Sequence, residues 1–431
     1  MVKASGLLPG VVPPQPILLR DERLPAADVI LGPEIVPIID LVVTEAGGVL
    51  ESLVRRQVLH KPGRRLVARF AARVAWDARV SDESIVAMTD VGGPPAGCLV
   101  VGDGERTVGV WRWPFDPYLP GLRSAVDPDR VREVIADLGG RPGPVWLTPL
   151  AYRPGRRAVI RAMAGSQSLF LKVLPIDEAE ALHRRHVAVA GRLPTPVSLG
   201  WSPTLGIVAL EALPGRTLRE TLTSRQPCPT PASVMGLLDE VAEVEGSGVG
   251  DVPRPSAIRR AAGHVRVLEA ILPAQRDRLH RLLDRLGEPS VVRSGLIHGD
   301  FHDAQLLVRG GTISGLLDID GLGMGDRIDD PATLIAHLSA LEVALPRADP
   351  YIRAYSEAVA SASLRRADAD DLARRVAATC VGLATGPFRI QQSHWQAASL
   401  QLIALAERWA DRADHGTSGQ IAGRRGRTAV R

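Results

Sequence analysis

Two short apolar runs near position 300 each end in carboxylates. The first is Leu296-Ile-His-Gly-Asp-Phe-His-Asp-Ala-Gln-Leu-Leu307 and the second Gly315-Leu-Leu-Asp-Ile-Asp-Gly-Leu-Gly-Met-Gly-Asp326. Asp300 follows a glycine, Gln305 stands five residues later, and Asp318 stands 18 residues after Asp300. Asp320 comes two residues on and, in an extended segment, would share the face of Asp318. Arg309-Gly-Gly311 between the runs reads as a hairpin turn, which would bring Asp300 and Asp318 to one end of a small sheet. Phosphoryl transfer needs this inventory. One carboxylate orients an acceptor hydroxyl and takes its proton; a second carboxylate and a neutral oxygen donor hold Mg2+ against the phosphates. A cation must also reach those phosphates, and Lys172 at the end of the apolar run Leu169-Phe-Leu-Lys172 is placed for it. The turn Arg153-Pro-Gly-Arg-Arg157 could close over them, with Gly155 letting the backbone approach and Arg156 or Arg157 adding charge.

The background makes the lysine more telling. Of 52 basic residues only Lys3, Lys61 and Lys172 are lysines; the others are arginines. The formal charge of the 431-residue chain is +4. Arg424, Arg425, Arg427 and Arg431 account for it, so the rest of the chain sums to zero and offers no basic field for nucleic acid. The cysteines, Cys98, Cys228 and Cys380, are few and scattered, which suits neither a disulfide framework nor a zinc site and fits a cytoplasmic setting. Prolines interrupt the apolar stretch after Lys3, so no secretory leader is expected, and no run is long enough for a membrane span.

The elements that must position these residues fall into an order of strands first and helices later. Runs at 66–74, 84–88, 99–101 and 107–111 read as strands, with Asp103-Gly104 as a hairpin turn. Asp127–Leu138 reads as a helix, and Gly139–Pro144 as a linker and domain boundary. Strands at 145–152, 158–163 and 168–174, a helix at 177–192 and a strand at 207–212 follow. Helices are expected at 232–246, 256–286, 331–345, 350–362, 368–385 and 394–412. His60-Lys-Pro-Gly-Arg-Arg-Leu-Val-Ala-Arg69 is similar to Tyr152-Arg-Pro-Gly-Arg-Arg-Ala-Val-Ile-Arg161, 92 positions later. Residues 107–114 are also similar to 168–175, which would set Trp111 where Lys172 stands. Chance recurrence and a duplicated β-lobe whose first copy lacks the lysine both account for this.

Over about residues 145–412 the chain resembles the aminoglycoside phosphotransferase-type small-molecule kinases. Their HGDxHxxN motif is similar to His298-Gly-Asp300-Phe-His302-Asp-Ala-Gln305. Their downstream metal-loop Asp is similar to Asp318, and their Gly-Asp-Pro-x-x-Asp segment to Gly325-Asp326-Arg-Ile-Asp-Asp330. The resemblance implies an α+β, bilobal, protein-kinase-like fold and use of ATP and Mg2+. It implies Asp300 as catalytic base, Gln305 and Asp318 as metal ligands, and Lys172 as the phosphate-binding lysine. Ile207–Leu213 becomes the interlobe hinge, with the backbone around Glu211 and Leu213 meeting adenine.

Some positions depart from the family pattern. Gln305 replaces the usual Asn, as in maltokinase-like and glucosamine kinase-like members, which also carry an N-terminal cap; that points to a sugar, amino sugar or aminoglycoside acceptor. Asp320 is an extra carboxylate able to support or replace a metal ligand. Arg327 stands where Pro is common. The only candidates for the helix Glu that pairs with the lysine are Glu178 and Glu180. His298 and His302 read as braces of the loop, Asp326 and Asp330 as anchors. Gly386–Arg389 and Gln391–Trp395 fall where the family often binds acceptor. No GxxxxGK[ST] or GxSxG element occurs, which disfavours a P-loop kinase and a serine hydrolase.

The expected organisation is a β-containing cap over 1–140, a kinase N-lobe and hinge over 141–213, a helical C-lobe over 214–413 and a disordered basic tail over 414–431. A monomer or homodimer acting on a small-molecule hydroxyl is expected. The rival reading is a non-catalytic nucleotide-binding scaffold.

Overall fold

The computed structural model describes residues 11–102, 105–141, 143–244, 253–289, 293–345 and 350–425, with side chains to 413. Two short helices, α1 (Ala27–Leu31) and α2 (Ile35–Glu45), lead into a five-stranded antiparallel sheet. Its strands are β1 (Val49–Lys61), β2 (Arg65–Trp76), β3 (Arg79–Asp90), β4 (Leu99–Gly102) and β5 (Thr107–Arg112), in the order β1-β2-β3-β5-β4. The turn expected at Asp103-Gly104 lies outside the described residues, although the strands flanking it do pair.

The same plan then repeats. Helices α3 (Leu122–Ala125) and α4 (Pro128–Asp137) precede β6 (Val145–Arg153), β7 (Arg157–Ala164), β8 (Gln167–Val173), β9 (Ser198–Ser202) and β10 (Ile207–Glu211). The order β6-β7-β8-β10-β9 matches the first sheet strand for strand. Here, however, a helix, α5 (Ile176–Val189), is inserted between the third and fourth strands.

The hairpin turns superpose in sequence as well as in plan. Lys61 pairs with Arg65 and Arg153 with Arg157, and Gly63 and Gly155 both have φ of 67°. Only glycine takes that backbone conformation without strain. In the first copy Gly63 N–H and His60 Nε2 donate to Asp21 Oδ2 (2.7 and 2.8 Å). In the second, Gly155 N–H and Tyr152 OH donate to Asp116 Oδ2 (both 2.8 Å). Each aspartate opens the same sequence, Asp21-x-x-Leu24-Pro25 and Asp116-x-x-Leu119-Pro120. Strand order and turn geometry therefore repeat, but the strands align differently from the sequence reading. Lys172 pairs with Val159 on the strand before it. The equivalent of Val159 is Val67, and Val67 pairs with Met88. Met88, fully buried on β3, is the counterpart of Lys172; Trp111 lies on the fifth strand. Similarity of short strands misled because apolar strands look alike until their neighbours are known.

Core membership divides the copies. Leu119, Leu122, Val131 and Ile135 pack with Val145, Ile160, Leu169 and Leu171 beneath the second sheet. The boundary expected at 140 therefore falls inside one core, and the change of core comes between Arg112 and Leu119. Asp127 caps α4 by accepting from Asp129 N–H and Arg130 N–H.

The helical half begins with the short strand β11 (Arg216–Thr217) and the helices α6 (Leu218–Thr223), α7 (Pro231–Ala242), α8 (Ala257–Ile271) and α9 (Arg276–Leu286). The long helix expected over 256–286 is two helices, because Pro273 cannot continue the ladder. Strands β12 (Ser294–Ile297), β13 (Leu306–Arg309), β14 (Thr312–Leu316) and β15 (Gly323–Asp326) carry the carboxylate loops. Helices α10 (Asp329–Ala344), α11 (Pro350–Leu364), α12 (Ala369–Leu383), α13 (Gly386–Arg389) and α14 (Trp395–Arg425) complete the chain. Residues 414–425, expected to be irregular, thus continue the last helix; 426–431 lie outside the described residues. Among the described residues no helix is long and apolar enough to cross a membrane.

Candidate active site

The expected hairpin exists, with β13 and β14 joined at Gly310-Gly311. The first apolar run takes a different partner: β12 pairs with β15, not with that hairpin. Asp300 lies in the loop after β12 and Asp318 in the loop after β14. They are held together by side chains. Asp330 accepts from the N–H groups of His298 (2.7 Å) and Gly299 (2.9 Å). His298 Nε2 lies 2.8 Å from the Leu317 carbonyl, and its Nδ1 accepts from Asp300 N–H (3.3 Å). Those two contacts fix the tautomer with the proton on Nε2. One buried imidazole thereby ties the Asp300 loop to the Asp318 loop. Gly299 is obligatory: a Cβ there would come within 2.8 Å of the Gly321 carbonyl, and its φ is 80°.

Asp318 itself has a left-handed backbone (φ 58°), and Ile319–Gly321 forms a tight turn in place of an extended segment. The alternation expected for Asp318 and Asp320 is therefore absent, yet both carboxylates converge, because the turn swings Asp320 back. Lys172 Nζ lies 2.7 Å from Asp318 Oδ1 and 2.6 Å from Asp320 Oδ1. Arg157 reaches the same pair, at 2.9 Å to Asp318 Oδ2 and 2.8 Å to Asp320 Oδ2. Burial of Asp318 works against its charge, but Lys172 and Arg157 outweigh it and hold the carboxyl below the usual range. Gln305 Nε2 lies 3.4 Å from Asp318 Oδ2, and the Gln305 carbonyl accepts from Leu317 N–H.

Neither Glu178 nor Glu180 pairs with Lys172; Glu180 bridges to Arg184 one helical turn on. The residue that α5 turns into the lysine's cleft is His186, 1 % exposed. Its Nδ1 meets the Pro196 carbonyl at 2.8 Å, while its Nε2 is buried without a partner. Burial pushes its pKa down to about 4, so the imidazole is neutral at pH 7. Asp320 thus takes the place an α5 glutamate was expected to fill.

A cleft of about 580 Å³ opens beside Lys172, with Val159, Leu210, Leu213, Leu307 and Leu317 as apolar lining and Arg157, Glu211, Gln305 and Asp318 as polar lining. Such a volume suits a nucleotide-sized ligand. Asp300 lines a second pocket of about 200 Å³ against α8, α10 and α12, and is close enough to act on Arg157 of the cleft. Gly155 is committed elsewhere. Its N–H is spent on Asp116, and a Cβ there would meet the Tyr118 ring at 3.1 Å. Arg156 is exposed and lies close enough to act on Arg389, whereas Arg157 reaches the carboxylates. His302 stacks on His337 (4.2 Å between centroids, 10° between planes). Asp326 pairs with the buried Arg375, which also binds Asp329 and Asp371. Trp111 and Trp113 join the two copies: Trp111 Nε1 donates to Tyr152 OH (3.0 Å), and Trp113 packs edge-on to the same ring. Sequence reasoning missed His186 and Asp116. The repeated Asp-x-x-Leu-Pro was the signal that could have revealed Asp116.

A lysine on the third strand of a five-stranded sheet, set against carboxylates from a helical lobe, gives the arrangement of a two-lobed, protein-kinase-like fold. Residues 157–369 match the family model of the phosphotransferase enzyme family, APH. No curated protein matches the chain. Solved structures are similar at low identity. A choline/ethanolamine kinase family protein of Mesorhizobium loti is 17% identical, with 65% of this chain and 94% of that chain covered and a TM-score of 0.45. A macrolide 2'-phosphotransferase of Brachybacterium faecium is 18% identical, with 64% and 98% covered and a TM-score of 0.40. An aminoglycoside-3'-phosphotransferase of type VIII is 22% identical, with 59% and 99% covered and a TM-score of 0.41.

Proposed function

We propose that the domain is an ATP- and Mg2+-dependent kinase that phosphorylates a hydroxyl of a small, sugar-like molecule. The observation that carries this reading is Lys172 Nζ within 2.7 Å of Asp318 and 2.6 Å of Asp320, at the mouth of a nucleotide-sized cleft. The donor set fits magnesium: two carboxylates and one amide, all hard oxygen ligands, with Asp318 kept ionised. Asp318, Gln305 and Asp320 would hold the metal, which supplies charge neutralisation between phosphates when bound. Lys172 and Arg157 present the cationic charge next to those carboxylates. The backbone around Glu211 and Leu213 is at the edge where a base would dock. Asp300, with its side chain 59% exposed, is free to orient an acceptor hydroxyl and take its proton. The retained set of base, metal donors and lysine favours catalysis over a scaffold role.

The test is transfer of the γ-phosphoryl group from Mg-ATP to sugars, amino sugars and aminoglycosides. Asp300→Ala and Asp318→Ala should each lower turnover by about 10²–10⁴-fold with an unchanged melting profile. Full activity in purified Asp300→Ala would overturn the mechanism.

A further inference from the structure

The pocket next to Asp300 has an unusual charge. Asp300 is the only carboxylate among its lining residues, which include Arg260 and His264 from α8, and Thr333 and His337 from α10. It shares no lining residue with the cleft of Lys172 and Asp318. Arg389, at the end of α13, lies close enough to act on both Asp300 and His264. Arg153 and Arg156 approach Arg389 from the turn of the upper lobe. Burial, aided by Arg260 and Arg389, lowers the pKa of His264, and burial with His302 pushes His337 down to about 4. The imidazoles are therefore neutral at pH 7, and Arg260 and Arg389 are the permanent positive charges set beside Asp300.

The arginine-rich composition does not account for this. Several other arginines around the site are paired: Arg157 with Asp318 and Asp320, Arg219 with Asp303, Arg375 with three aspartates. Arg153, Arg156, Arg260 and Arg389 are exposed, and among the described residues none of them forms an ion pair. Arg260 acts on Asp329, Arg153 on Asp318 and Arg389 on Asp300, but no carboxylate among the described residues lies at ion-pair distance from these cations, which leaves them able to attract an anion. Arg153 lies close enough to act on Asp318 of the nucleotide cleft and Arg156 is on the same turn, where phosphates could use both. Arg260 lines the acceptor pocket itself, and Arg389 acts on that pocket's Asp300 and His264.

We propose that the acceptor carries, besides its hydroxyl, a carboxylate or phosphate group that Arg260 and Arg389 bind. This rests on the kinase reading above and narrows its substrate class. An amino sugar or aminoglycoside would bring positive charge against these arginines, whereas a sugar acid or sugar phosphate would complete their pairing.

The test uses sets that share a carbon frame: glycerol, glycerate and glycerol 3-phosphate; glucose, glucosamine, glucuronate and glucose 6-phosphate; and kanamycin as a polycation. Phosphoryl transfer from Mg-ATP and acceptor-free hydrolysis of Mg-ATP are measured in parallel. The expected result is a kcat/KM at least about tenfold higher for acids or phosphates than for neutral or amine members. Comparing the carboxylate and phosphate arms identifies the anion. Arg389→Ala should raise KM for the anionic acceptor by about tenfold or more, and Arg389→Lys should recover most of that loss. A preference for glucosamine or kanamycin, or hydrolysis of ATP with no transfer to any anionic member, would overturn the acceptor inference alone. Absence of both hydrolysis and transfer would overturn the kinase reading beneath it.

Discussion

Asp116 joins the first repeat to the turn that ends in Arg157, and its removal has a calculable cost. The carboxylate is 3 % exposed. It accepts from Gly155 N–H (2.8 Å), Tyr152 OH (2.8 Å) and Tyr118 N–H (2.9 Å). In Asp116→Ala all three donors lose their acceptor. Hydrogen bonds to a charged partner contribute about 1.5–3 kcal/mol each. Burial raises the pKa of Asp116, which offsets part of that gain. Taking about 1 kcal/mol per donor gives a loss of about 3 kcal/mol. For a cooperative unit of about 200 residues, at about 2–4 °C per kcal/mol, the melting temperature of the transition that includes Asp116 should fall by about 6–12 °C. The turn also loses its anchor, so Arg157 should be held less firmly and KM for ATP should rise. Asp21→Ala makes the matched control. It removes the equivalent acceptor from Gly63 and His60 and should cost similar stability, without the rise in KM. Differential scanning calorimetry and initial-rate kinetics read both effects. A melting temperature for Asp116→Ala within about 2 °C of the parent would refute the account of these hydrogen bonds.

Two further perturbations follow from buried charge. His186 has its pKa pushed down to about 4 against an ordinary 6.5, so between those values the unfolded chain binds a proton that the folded chain refuses. His186 should therefore contribute about 3 kcal/mol of stability above pH 6.5 that is lost as pH drops to 4; His186→Gln should lessen the fall in melting temperature over that window by its share, the other buried histidines keeping theirs, and parallel pH profiles would count against it. Arg375, fully buried between Asp326 (2.7 Å), Asp329 (2.8 Å) and Asp371 (3.1 Å), holds the loop after β15 to α12. Arg375→Ala strands three carboxylates and should cost about 3–5 kcal/mol, seen as a fall in melting temperature or loss of soluble protein; an unshifted melt would show that the aspartates find other partners.

Much of this protein is local enough to be legible in its residues. The spacing of Asp300, Gln305 and Asp318, the hairpin at Gly310-Gly311, the capped helix after Asp127 and the repeated Arg-Pro-Gly-Arg-Arg turn all depend on neighbours within a few positions. Those features were therefore readable as carboxylate loops, a helix and a duplicated hairpin. The brace formed by His298 and the anchor formed by Asp330 were readable in kind, though not in partner.

What the sequence could not decide is which distant groups meet. Lys172 finds Asp318 and Asp320 across 146 and 148 residues, and a spacing of that size carries no preferred geometry. The choice of Asp320 over a helix glutamate depends on how α5 rolls against the sheet, which faces His186 inward. Met88, not Trp111, matches Lys172 because strand order, set by packing and hydrogen-bond register, outranks the likeness of two short apolar runs. The acceptor pocket shows the same division. Its arginines are scattered over Arg153, Arg156, Arg260 and Arg389, and composition balanced their charge against acids elsewhere. Only the tertiary fold brings Arg260 and Arg389 beside Asp300, because electrostatics acts through space and not along the chain.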